Sequence, residues 1–403
     1  MRSRATLCLL FLTVCDVTLI AQTFTFSQPK SVLTFQPPSW GFNLQTLDVN
    51  GDGKTDLLIN TGINYNIYLG DGKGGFASTP LSSAVFDPAP VHPSPTFIDV
   101  DGDGIDDLVL GFSSFMGDQF SETNGQFIVA LGDGSGNFNT TTSLYNMPAG
   151  NGSADDPLVA ADFNGDGKVD FALLTAGGFD VYGNFQTAAI TLFLNQGSGK
   201  FAQQKTIWLQ GSGHWAMVSG DFKGDGKQGL AWTQVQSNAG PPYPIHYLYG
   251  NGDGTFGAMH TYWTDTAAVA LASGDLNGDH KTDLVVSLMP GGAHVWRIAT
   301  LLAKQTSGFY WAQGVSSSSS TDGLELVDLN NDGHLDAIYQ QVYMRAGLAD
   351  DSWGPQQVVP GQTPPQSSGH FAPLVKGGLP AVFTTSVDAA QNAHIDVQIN
   401  TSK

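Results

Sequence analysis

Short apolar runs recur along the 403-residue chain, each following an acidic stretch. They read "DLLIN" (56–60), "DLVLG" (107–111), "DFALLT" (170–175), "GLAWT" (229–233), "DLVVS" (283–287) and "DAIYQ" (336–340). Their length and near-continuous apolar character predict strands buried on both faces. A second set, "NIYLG" (66–70), "FIVALG" (127–132), "ITLFLN" (190–195) and "IHYLYG" (245–250), predicts a further strand in each unit. One more strand before the acidic stretch and one after the second run make four strands per unit.

The acidic stretches are themselves a repeat. They are "DVNGDGKTD" (48–56), "DVDGDGIDD" (99–107), "DFNGDGKVD" (162–170), "DFKGDGKQG" (221–229), "DLNGDHKTD" (275–283) and "DLNNDGHLD" (328–336), spaced 51 to 63 residues apart. A glycine signature comes after each of the first four: "LGDGKGGF" (69–76), "LGDGSGNF" (131–138), "LNQGSGKF" (194–201) and "YGNGDGTF" (249–256). A seventh unit, "HFAPLVKGGLPAVF" (370–383), keeps the apolar flanks of the acidic stretch without its acids. Four-stranded units at this period describe the blades of a β-propeller. The expected fold is therefore all-β, a single seven-bladed propeller over 22–403. The last unit stops at "HIDVQINTSK" without a fourth strand, and "QTFTFSQPKSV" (22–32) resembles the segments C-terminal to the glycine signatures in other units. The N-terminal strand is thus expected to complete the C-terminal blade and remove two open sheet edges.

Composition sharpens this picture. Glu122 and Glu325 are the only glutamates among 36 acidic residues, and aspartate suits turns and short-reach coordination rather than helices. A net charge of −20 makes nucleic acid and anionic membrane poor partners. Arg2 and Arg4 before "ATLCLLFLTVC" read as a secretory leader over 1–21, cleaved after Ala21. Both cysteines, Cys8 and Cys15, fall inside it, so no disulfide framework is expected. Lipid attachment at Cys15 is the rival reading. No later run is long enough to span a bilayer. The expected location is secreted or cell-surface, with periplasmic retention an alternative, and the expected state is a monomer.

Within each acidic string, oxygen side chains stand at positions 1, 3, 5 and 9, as in Asp48, Asn50, Asp52 and Asp56. Position 7 offers a backbone carbonyl, and glycines at 4 and 6 let the chain wrap tightly. Hard oxygen donors around a glycine turn are the logic of a calcium loop. Magnesium would want stricter geometry, and zinc would want His or Cys.

Paired with the glycine signature, these strings resemble the calcium loops of FG-GAP repeats, found in the integrin α-subunit propeller, and of bacterial VCBS repeats. The resemblance implies that Asp48, Asn50, Asp52, Lys54 and Asp56 hold one ion, the seventh residue through its carbonyl. It implies the same of Asp99, Asp101, Asp103, Ile105 and Asp107, and of Asp162, Asn164, Asp166, Lys168 and Asp170. A fourth set is Asp275, Asn277, Asp279, Lys281 and Asp283; a fifth is Asp328, Asn330, Asp332, His334 and Asp336. About five Ca2+ ions are expected, in a structural role. The string at 221–229 has Lys223 at position 3 and Gly229 at position 9, so it is expected to be metal-free, with the Lys223 ammonium near the vacant site. His280 and Asn331 replace glycines, the former where positive φ is expected.

Chemistry elsewhere is sparse. There is no HExxH, no GxSxG and no free cysteine nucleophile outside the leader. Asp118, Glu122, Asp155, Asp156, Asp180 and Asp265 fall in connections without forming a carboxylate pair. The connections opposite the calcium loops are long and carry Phe115, Phe120, Phe179, Tyr182, Phe185 and Tyr243, candidates for a ligand face. The expected function is a binding or adhesion module for an extracellular carbohydrate or protein. The alternatives are a polysaccharide lyase or hydrolase on the same scaffold, or a purely structural cell-surface repeat.

Overall fold

The computed structural model describes residues 23–402, except 38–41, 61–63, 86–95, 113–124, 148–156, 176–177, 180–184, 211–213, 235–239, 292–294, 305, 318–319, 322, 341, 349–351, 361, 363–367 and 389. The described residues contain no helix and form seven antiparallel blade sheets, six of four strands and one of five, together with a two-stranded ribbon. Blade 1 comprises Asn43–Leu47, Asp56–Asn60, Asn64–Tyr68 and Ser82–Val85. Blade 2 comprises Thr96–Ile98, Asp107–Phe112, Gly125–Gly132 and Phe138–Met147. Blade 3 comprises Leu158–Ala161, Asp170–Thr175, Ala189–Gly197 and Lys200–Gln203. Blade 4 comprises His214–Gly220, Gly229–Gln234, Tyr243–Leu248 and His260–Thr264, and blade 5 Ala268–Gly274, Asp283–Leu288, Trp296–Ala303 and Phe309–Ser317. Blade 6 is built from Glu325–Val327, Asp336–Tyr339, Tyr343–Arg345 and Gln357–Val358.

Blade 7 has the expected closure. Ser368–Pro373, Pro380–Val387 and Ala393–Gln398 are joined by the N-terminal strand Lys30–Phe35, which pairs antiparallel with Ala393–Gln398. The pairing extends past the strand: the Ser27 N–H donates to the Ile399 carbonyl at 2.8 Å, and the Thr401 N–H to the Thr25 carbonyl at 2.8 Å.

First strands lie innermost, because those of blades 1 and 2, 3 and 4, 4 and 5, 5 and 6, and 7 and 1 approach one another. Hydrogen bonds stitch this inner ring. Ser273 Oγ donates to the Ser219 carbonyl at 2.8 Å, and Thr46 Oγ1 pairs with His370 Nε2 at 2.8 Å, joining blades 1 and 7. The core is divided among the gaps between blades. Phe127, Phe171, Phe193 and Phe201 fill the gap between blades 2 and 3; Leu57, Ile59, Phe383 and Val397 fill that between 7 and 1. Second strands such as Asp170–Thr175 and Asp283–Leu288 are buried at every residue, as their apolar runs require. Each fully buried Leu, Ile or Phe contributes about 1.5–3 kcal/mol.

Blade 3 departs from the simple pattern. Its outer edge is split, with Lys200–Gln203 and Ile207–Trp208 both pairing to Ala189–Gly197. Its 2–3 connection forms a small ribbon, Gly178–Phe179 with Phe185–Gln186.

Candidate functional site

The six acidic strings form the connections between strands 1 and 2 of blades 1 to 6, and are numbered loops 1 to 6 accordingly. Positions 4 and 6 take positive φ in all of them, including His280 at 64° and Asn331 at 56°. Those backbones wrap around the first aspartate. Asp48 Oδ1 accepts the Asp52 N–H at 3.1 Å and its Oδ2 the Gly53 N–H at 2.8 Å; Asp99 accepts Gly102 at 2.7 Å and Gly104 at 2.9 Å. Asp162, Asp275 and Asp328 collect the equivalent amides. Position 3 accepts the position 5 N–H through Asn50, Asp101, Asn164, Asn277 and Asn330. Position 5 accepts the position 7 N–H through Asp52, Asp103, Asp166, Asp279 and Asp332. The residues at position 7 are Lys54, Ile105, Lys168, Lys281 and His334.

Position 9 does something the sequence does not reveal. Asp56, Asp107, Asp170, Asp283 and Asp336 are fully buried, and each carboxylate bridges two segments. One oxygen accepts the N–H of position 2, from Val49, Val100, Phe163, Leu276 or Leu329. The other accepts an N–H at the end of strand 3, from Gly70, Gly132, Asn195, Ala303 or Gly347. The ninth aspartate therefore ties the acidic loop to the glycine signature on the same face. Close approach explains the first glycine of that signature: a Cβ at Gly70 would collide with the Thr55 carbonyl oxygen.

Burial dominates the electrostatics of these carboxyls. It pushes Asp56, Asp107, Asp170 and Asp283 up to about 6 and Asp336 to about 7, against the lowering effect of their backbone donors. Position 5 moves the other way: the Lys54 and Lys168 ammonium groups hold Asp52 and Asp166 below the usual range. These lysines reach across their own loops, with Nζ–Oδ2 distances of 2.7 Å for Lys54–Asp52, 2.8 Å for Lys168–Asp166 and 2.6 Å for Lys281–Asp279.

The residues fit a hard cation. In loop 2, where Ile105 stands in place of lysine, carboxylate oxygens of Asp99, Asp101 and Asp107 all lie within 4.8 Å of one another. Three like charges gathered on an all-oxygen site are the donor set of calcium. Burial and then Asp103 raise the Asp101 carboxyl, as expected where acids crowd together.

Loop 4 keeps the backbone fold with fewer acids. Asp221 accepts the N–H groups of Lys223, Gly224, Asp225 and Gly226. The side chain of Lys223 corrects the expectation for it: its ammonium lies over the Tyr249 ring, 4.2 Å from the centroid, where the π face attracts it. Gly229 occupies position 9 with strand 3 pressed against it, and a Cβ there would meet the Leu248 carbonyl oxygen.

The proposed ligand face is only partly placed. Phe115, Phe120 and Tyr182 lie outside the described residues, and Phe179 and Phe185 are paired across the blade 3 ribbon by their backbones. Tyr243 opens the third strand of blade 4, half-buried, its carbonyl accepting from Thr264 Oγ1 at 3.1 Å. Reading aromatics only in the long loops missed Trp208, Trp215 and Trp263, which are 62%, 61% and 57% exposed on strands of blades 3 and 4. Little in the sequence marked them, because Trp208 and Trp215 sit among apolar neighbours in short strands and a tryptophan there reads as core.

Residues 48–110, running from loop 1 through the last three strands of blade 1 and loop 2 into the second strand of blade 2, match the model of the FG-GAP-like repeat family. No curated protein matches the chain in sequence. Among solved structures, an Agrocybe aegerita lectin described as specifically recognising non-reducing terminal N-acetylglucosamine superposes with TM-score 0.53 at 18% identity, covering 79% of each chain. BBS1N, in complex with ARL6DN, superposes with TM-score 0.56 at 9% identity, covering 95% of this chain and 99% of that one. At such identities the likeness is one of fold.

Proposed function

We propose that this seven-bladed propeller, which carries an FG-GAP-like repeat, is an exported, calcium-stabilised module that binds an extracellular carbohydrate. The observation that carries the calcium reading is loop 2, whose Asp99, Asp101 and Asp107 oxygens converge with no lysine to separate them. Loops 1, 3, 5 and 6 repeat its backbone wrap and would hold an ion through the same positions. When bound, calcium supplies positive charge to a chain of net charge −20. The protein's own contribution is to hold each loop open: the ninth aspartate anchors it to the strand 3–4 turn, and the first aspartate gathers its amides.

Carbohydrate is favoured over protein by the exposed indoles of Trp208, Trp215 and Trp263, flat apolar surfaces of the kind that stack on sugar rings. The lectin neighbour supports that class by analogy of fold alone. A glycan array with a parallel panel of extracellular proteins, run in calcium and in chelator, tests the reading. Saturable, chelator-sensitive binding to glycans without product formation is expected. Turnover of a polysaccharide would instead support a lyase or hydrolase, and binding to proteins alone would overturn the carbohydrate assignment.

A further inference from the structure

We propose that Asp106 couples loops 1 and 2, so that an ion held in one raises the affinity of the other; this inference rests on the calcium reading above. Asp106 is the eighth residue of loop 2, set between Ile105 and Asp107, both of which would face the ion there. Both its backbone and its side chain reach out of that loop. The Asp106 N–H donates to the Asp48 carbonyl at 2.9 Å, and Asp106 Oδ2 accepts the Asp48 N–H at 2.7 Å. One residue thus clasps both backbone polar groups of Asp48, the first ligand position of loop 1. Beside the clasp the loops touch, for a Cβ on Gly51 would lie 3.2 Å from the Gly104 carbonyl oxygen and 3.3 Å from Ile105 Cγ1. Any ordering of residues 104–107 is passed directly to 48–53, with no intervening segment.

The other eighth positions show why this pair is special. The Thr282 N–H donates to the Asp221 carbonyl at 2.8 Å, and the Thr55 N–H to the Leu374 carbonyl at 3.1 Å, so the backbone half of the clasp recurs. In those cases the partner is loop 4, with its depleted ligand set, or blade 7, with none. Position 8 elsewhere is Thr55, Val169, Gln228, Thr282 or Leu335, and only Asp106 offers a carboxylate. Loops 1 and 2 are therefore joined by a two-point clasp between two complete ligand sets. The first ion bears the cost of ordering that serves both loops, and the coupling must be reciprocal.

Peptide-resolved amide exchange of the full chain, measured against calcium concentration, tests this. Disabling loop 2 with Asp101→Ala should move the midpoint of calcium-dependent protection in loop 1 to about fivefold higher calcium. In an Asp106→Ala background, which loses the side-chain half of the clasp but keeps its backbone half, the same substitution should move that midpoint clearly less, to under about twofold. Asp106→Asn, which keeps an oxygen for the Asp48 N–H, should restore the shift. Unchanged protection of Ala189–Gly197 in blade 3 checks folding. Should Asp106→Ala fail that check, reciprocity still decides: Asp52→Ala in loop 1 must shift loop 2 by the same factor. A loop 1 midpoint indifferent to Asp101→Ala overturns the coupling and leaves the calcium reading standing. No calcium-dependent protection in any loop overturns both.

Discussion

A lysine ammonium sits on the fifth-position carboxylate in loops 1, 3 and 5, whereas loop 2 has Ile105 at that place. Each lysine offsets the charge of one carboxylate in its loop in the absence of metal and competes with a divalent ion for the same oxygen. Loop 2 should consequently bind calcium more tightly than its lysine-bearing counterparts. Replacing Lys168 by Met should tighten loop 3 by about fivefold, the effect of removing one charge at contact distance in water. Site-resolved calcium titration checks this, and an unchanged or weaker loop 3 would contradict it. The seventh position shows where sequence reasoning stops. A carbonyl ligand is set by backbone path and can be inferred from spacing, but where a four-carbon stem folds depends on neighbours. For the same reason the Lys223 ammonium, expected near two aspartates, rests instead on Tyr249, a residue from the adjoining turn.

At the scale of the element, the loop and its turn form one unit held by a buried carboxyl. Burial raises Asp56, Asp107, Asp170 and Asp283 to about 6 and Asp336 to about 7, above an unfolded value near 3.8. A raised carboxyl favours the folded state while protonated, so this stability is fully present below pH 3.8 and lost as pH rises through 6 to 7. In calcium-depleted buffer the melting temperature should therefore fall between about pH 5 and 7.5, a window in which Asp133 and Asp388, held at about 2, are already ionised. Millimolar calcium should flatten or reverse the slope, because it binds the ionised form. A calcium-free melting temperature that rises across this window would contradict the assignment. Much of the element was legible: position 9 was visible as an acid preceding a buried strand, and His280 was expected to need the positive φ of 64° that it adopts. The second role of position 9 was hidden, because the amides it accepts at the end of strand 3 lie 11 to 25 residues further on. The split outer edge of blade 3 was equally hidden, since Ile207 and Trp208 rejoin a strand they do not directly succeed.

At the scale of the molecule, closure is the vulnerable feature. Lys30–Phe35 covers the outer edge of blade 7, and Leu33 adds to the core shared by blades 7 and 1. Removing residues 22–35 should expose that edge and convert the protein to self-associating species, measurable by sedimentation. A stable monomer after truncation would contradict it. Blade number and closure were readable because each blade announces itself with an acidic loop or its apolar flanks. The ligand face was not, because its candidates sit in connections whose length and content differ from blade to blade. Calcium sites of the extracellular class bind at about 0.1–1 mM, and saturation at ten times that value stabilises by about 1.4 kcal/mol per site. If the five proposed loops each held an ion, they would together add about 7 kcal/mol, comparable with the whole stability of a typical domain. Equilibrium dialysis with elemental analysis of the bound metal, in about 10 mM calcium with magnesium present, tests the calcium assignment directly. About five calcium ions per chain and fewer than one magnesium are expected; a chain that retains no calcium under those conditions would contradict the calcium assignment.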